Sequence, residues 1–148
     1  MFRVDAISPA IYDPVVDEDR RRRYQDKLAH LEERRGDVAA WAGDSDKKSR
    51  LAVYKALQEI VEAAMDLCAM WVSDLGVPPK DDYSNLTTLR TRNLIDAETS
   101  ALLTEANGLR NALVHAYNGI EDPRVRKFIA SRLPLFSGFV SAVRKWLS

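Results

Sequence analysis

The stretch from about Asp46 to Leu75 constrains this chain more than any other. Tyr54, Leu57, Val61, Ala64, Cys68, Trp71, Val72 and Leu75 recur at helical spacing and form one broad apolar stripe. Lys55, Glu59, Glu62, Asp66 and Ser73 face the other way. Gly76, followed by Val77, Pro78 and Pro79, stops the helix. A stripe this wide has to be covered, and the remainder of the chain offers helices rather than strands to cover it.

Asp17, Glu18 and Asp19 open an earlier helix, where negative charge suits the helix dipole. Its apolar positions are Tyr24, Leu28, Leu31 and Val38, and it ends near Gly43. After the long helix, Ser84 reads as the cap of a short one holding Leu86 and Leu89. The next begins near Asp96 and runs to about Asn118 and Gly119. The last opens with Asp122 as cap and Pro123 at the first helical position. It carries Phe128, Ile129, Phe136, Phe139, Val140, Val143 and Trp146, and Pro134 inside it predicts a bend. No segment alternates like a strand. The expectation is an all-α, up-and-down four-helix bundle with one additional short helix, spanning residues 17–148 behind an irregular arm, residues 1–16.

Charge and composition narrow the function. With 22 basic and 22 acidic side chains, net charge is zero, which argues against a generalised nucleic-acid-binding surface. A small basic cleft stays compatible, because local field steers a polyanion. The single cysteine, Cys68, has no internal disulfide partner and reads as a buried thiol in a reducing compartment. The first residues lack a signal pattern, and no apolar run approaches the ~20 residues of a membrane helix. A soluble, cytoplasmic protein is expected.

The chemistry concentrates in "GLRNALVHAYNG", residues 108–119. On a helical wheel Leu102, Ala106, Leu109, Leu113, Ala116 and Ile120 cluster as the core stripe. Asn107, Asn111 and His115 form a polar row on the far side, Gly108 beside them leaves room for close approach, and Arg110 and Tyr117 stack along one flank. Histidine exchanges a proton near neutral pH, and arginine holds a phosphate with two parallel hydrogen bonds. The pair suits phosphodiester cleavage without a metal. The histidine would take a proton from a ribose 2′-hydroxyl or give one to the leaving 5′-oxygen, and the arginine would stabilise the transition-state charge. One histidine does not easily serve as both acid and base in one step, and a symmetric dimer would bring two together. The same spacing also fits a surface polar row or a dimer contact.

"RNALVHAY" carries the Arg-x4-His-x-Tyr signature and resembles HEPN-domain proteins of the HepT-like toxin branch. The likeness extends through the flanking "GLRN" and "NGIEDPRVRKFI", the long helix, and the link "YSNLTTLRTRNLID". It covers about residues 17–148; Pro134 and the leader before Pro14 depart from the family pattern. The resemblance implies a homodimeric all-α bundle whose paired motif helices line a cleft. It implies a metal-independent endoribonuclease toxin acting on RNA, neutralised by a minimal nucleotidyltransferase (MNT-type) antitoxin that can AMPylate the motif tyrosine. By that likeness Arg110 and His115 are the catalytic pair, Asn111 a supporting polar residue and Tyr117 the modification site. A second implied reading is a catalytically silent HEPN module that serves such a partner as a dimerising or nucleotide-binding scaffold. A third is a plain helical interaction protein.

Other features have plainer readings. Arg20 to Arg23 read as a solvated face balanced by neighbouring acids, with an RNA-tracking edge as the alternative. Glu62 and Asp66 read as solvated or dimer-facing carboxylates, either of which could orient Arg110. His30 is expected at the surface, and Trp41, Trp71 and Trp146 in packing. No metal-ligand set, cofactor motif or glycine-rich phosphate loop is visible.

Overall fold

The computed structural model describes residues 16–115 and 122–148. Helix α1 is Glu18–Trp41, α2 Lys47–Asp74, α3 Asp82–Thr91, α4 Ala97–His115, α5 Asp122–Ser131 and α6 Phe136–Leu147. Among the described residues there is no strand. The architecture is the expected all-α bundle with α3 as its short extra helix. Helix α1 lies along α2, α2 packs on α4, and α4 packs on α6. Tyr24 and Trp146 close the ring between α1 and α6 with their centroids 5.6 Å apart in an edge-to-face pair. Trp71 packs 5.5 Å from the same Trp146 ring. Such pairs add about 0.5–1.5 kcal/mol beyond simple burial.

Helix α2 differs from its sequence reading. Beyond the expected stripe, Val53, Ala56, Ile60, Ala63, Met65, Leu67 and Met70 are also buried. The cause is position: α2 is the central helix, covered by α1 on one side and by α3 and α4 on the other. Cys68 is fully buried, and burial pushes its thiol pKa up, which leaves it an inert packing group. Tyr24 is a core residue as expected. Its hydroxyl donates to Asp74 at 2.6 Å, where Arg20 also donates at 2.9 Å.

Helix ends follow local chemistry, with two corrections. Asp81, not Ser84, caps α3: the amide and hydroxyl of Ser84 both donate to its carboxylate at 2.9 Å. The last helix is not bent but broken. Pro134 sits in a 3-10 turn, Leu133–Leu135, that separates α5 from α6, because proline cannot continue the backbone ladder. Gly76 ends α2 as expected, at φ +83. Its amide reaches the Ser73 carbonyl and that of Val77 reaches Val72, the paired bonds of a left-handed helix terminus. Asn93, at φ +60, repeats this after α3, with Leu94 bonding back to Leu89. The link between α3 and α4 is thereby sharply turned, and α3 packs back on α4.

The surface features also resolve. Arg20 and Arg21 are not a free basic edge: Arg20 is tied to Asp74, and Arg21 donates to the Leu147 carbonyl. His30 is partly exposed, with its Nε2 3.1 Å from Glu59. Trp71 is buried, Trp146 partly so, and Trp41 is exposed. No described helix is long and apolar enough to cross a membrane.

Candidate active site

Helix α4 buries Thr99, Leu102, Leu103, Ala106, Asn107 and Leu109. Leu103 and Asn107 widen the buried arc and rotate its centre away from the expected Leu102 stripe. Two consequences follow for the motif. Asn107, expected on the outer polar row, is buried at 2% exposure. Arg110, expected on a flank, projects from near the middle of the buried arc and is 22% exposed along its side chain.

Arg110 is held by three helices' worth of polar groups. Its Nη2 donates to Asn107 Oδ1, one turn earlier, at 3.0 Å. The same nitrogen donates to Asp82 Oδ2 of α3 at 3.2 Å. Glu62 of α2 approaches Nη1 to 3.9 Å, an ion pair but not a hydrogen bond. The Nε–H is buried without a partner among the described residues. The guanidinium is thus anchored through one corner while its Nη1 corner keeps donors for an anion. Of the two acids read as solvated or dimer-facing, with either able to orient Arg110, Glu62 is beside it, whereas Asp66 pairs with Lys27 of α1 at 3.2 Å. Asp82 was not singled out in the sequence. It follows the capping Asp81, looks like another helix-start acid, and meets Arg110 only through the packing of α3 on α4.

His115 is the last described residue of α4 and is exposed; Asn111 is half-buried between it and Arg110. Val114, beside His115, is also exposed. Five residues of helix turn His115 about 140° away from Arg110 and carry it about 7.5 Å along the axis. Within one chain the two side chains therefore leave the helix on different sides. A Cβ on Gly108 would meet nothing within 4 Å, so packing does not demand the glycine, and the surface beside it is open. Tyr117, Asn118 and Gly119 lie outside the described residues.

The described chain resumes at Asp122, where α5 is tied to α2 and to the end of α1. Asp122, expected as a cap, is instead the first residue of α5, and it accepts hydrogen bonds from Tyr54 of α2 at 2.5 Å and from Arg126 at 2.6 Å. Arg126 also donates to the Ala42 carbonyl at 3.2 Å. These donors, Tyr54 foremost, hold the Asp122 carboxyl below the usual carboxylate range.

A family model described as "Ribonuclease HepT-like" matches residues 24–143. Two proteins of Archaeoglobus fulgidus, both described as candidate RNases, are similar to the chain. One is 36% identical over 125 residues, 84% of this chain and 94% of the relative. The other is 35% identical over 124 residues, 84% and 92% of the two chains. Among solved structures, the fold is similar to the tri-AMPylated HEPN toxin of Shewanella oneidensis in complex with MNT antitoxin. The TM-score there is 0.77 at 23% identity, covering 82% of this chain and 96% of that one. A toxin–antitoxin mutant, MntA–HpeT, gives 0.75 at 23% identity over 82% and 97% of the respective chains.

Proposed function

The chain belongs to the HepT-like ribonuclease family, and from that premise we propose that it is a metal-independent endoribonuclease toxin whose active site is completed by homodimerisation. The observation that carries the reading is the divergence of Arg110 and His115 within one chain. Arg110 is anchored against α3 and His115 is exposed at the end of α4. A second copy related by a twofold axis supplies the missing groups without any new sequence. One His115 takes the proton from a ribose 2′-hydroxyl and the other protonates the leaving 5′-oxygen. The Arg110 side chains bind the phosphate and stabilise its transition-state charge, with Asn111 as a supporting polar group.

Mixing subunits tests this. Wild-type and His115→Ala chains are co-refolded in varied ratio and assayed on total RNA in chelator. If both histidines serve each cleavage, activity follows the square of the wild-type fraction. An equal mixture then keeps about a quarter of full activity, where independent protomers would keep about half. A linear response overturns the composite site.

The reading extends to regulation. A nucleotidyltransferase antitoxin of the MNT type neutralises the toxin by AMPylating Tyr117. Support comes from the motif spacing and from the likeness to a tri-AMPylated toxin bound to such an antitoxin. An AMP two residues beyond His115 adds a bulky anion where the RNA backbone would approach, and repels it. Co-expression with the partner should give AMP-sized additions by intact mass, lost in Tyr117→Phe. Unchanged mass in the wild type refutes the modification.

A further inference from the structure

We propose that Asp82 is the positioning residue for Arg110, acting through Nη2 so that the Nη1 corner is aimed at the scissile phosphate; this rests on the ribonuclease reading above. Arginine carries a long, rotamer-rich side chain, and a transition-state contact from it is effective only if its fork is fixed beforehand. On α4 alone it would be held by Asn107, a neutral acceptor on its own helix. Asp82 adds the second acceptor on the same nitrogen, 3.2 Å away and from a different helix. Two acceptors in different directions define the plane of the guanidinium, where one leaves it free to swing.

The division of labour among the acids follows from distance. Asp82 bonds the anchored corner. Glu62, at 3.9 Å from Nη1, stands too far to bond the corner that an incoming phosphate would use. Asp82 is also spared from holding its own helix together, since Asp81 caps α3 through Ser84. Its carboxylate is therefore available to Arg110, and its replacement leaves the helix start intact.

The test compares Asp82→Ala and Asp82→Asn in single-turnover cleavage, alongside binding of a 2′-O-methyl RNA that cannot be cut. Asp82→Ala should slow cleavage at saturating RNA by roughly tenfold to a hundredfold. Its affinity for the uncleavable RNA should change no more than about threefold, because a misaimed arginine still attracts a polyanion. Asp82→Asn, which keeps an acceptor oxygen, should recover most of the rate. Equal cleavage rates in Asp82→Ala and wild type overturn the proposal while leaving the ribonuclease reading intact. So does a loss confined to RNA affinity. A separate readout follows the guanidinium of Arg110 by 15N NMR: its Nη signals should average in Asp82→Ala as rotation about the Nε–Cζ bond is freed. If wild type cuts no RNA, the ribonuclease reading fails, and this signal alone decides the positioning claim. Unchanged Nη signals then reject it.

Discussion

His115→Ala should abolish toxicity and slow RNA cleavage by on the order of 10²–10⁴, the usual cost of losing a general acid–base residue. Its melting temperature should stay at the wild-type value. The side chain is exposed at the last described residue of α4, so among the described residues its truncation opens no cavity and strands no buried partner. Surface replacements of that kind fall within about 0.5 kcal/mol of neutral. The oligomeric state should match that of the wild type, because the mutation removes chemistry and not packing. Cleavage of total RNA in chelator and growth after induction measure the effect. A wild-type protein that cuts no cellular RNA and arrests no growth would instead favour a catalytically silent scaffold for a nucleotidyltransferase partner.

The separation of effects in that mutant depends on which side of α4 each motif residue faces, and the sequence revealed this unevenly. The bundle was legible because its helices alternate apolar and polar faces and end at residues with distinct backbone demands, such as Gly76. The motif was legible as a spacing. The buried arc of α4 is turned by a fraction of a turn from the one its apolar spacing predicts. The apolar spacing centres the arc on Leu102, but Leu103 and Asn107 are buried too. A buried asparagine looks polar on a wheel, and only a partner such as Arg110 explains its burial. Asp82 was illegible for a different reason. Its contact with Arg110 joins positions 28 apart in sequence through the packing of two helices, and no local pattern encodes it. Pro134 announced an irregularity correctly, but whether proline bends a helix or ends it depends on whether neighbours hold the flanking turns together.

Arg110→Ala should produce a double loss that His115→Ala does not. Removing a preorganised charge aimed at the transition state costs on the order of 10²–10³ in rate. The same substitution strips the cation from beside Asp82 and Glu62, whose side chains are 32% and 41% exposed. Part of each carboxylate is solvated, so their share is about 1 kcal/mol, while the buried Asn107 Oδ1 loses its donor and adds roughly 1–3 kcal/mol. For a chain of this size the two together lower the melting temperature by roughly 5–15 °C. The two losses have different origins and come apart in the double variant Arg110→Ala with Asp82→Asn. Neutralising Asp82 removes the stranded negative charge, so the melting temperature should climb part of the way back, short of wild type by the share of the stranded Asn107 oxygen. Cleavage should not, because no cation is left to meet the phosphate. Melting curves and cleavage rates on the same four proteins measure both quantities. If stability and cleavage recovered together in the double variant, Arg110 would be a structural ion-pair partner, and the charge that stabilises the transition state would have to come from elsewhere. If neither recovered, the stability loss would come from the stranded Asn107 oxygen and the packing of the arginine stem, and not from the charge of the acids.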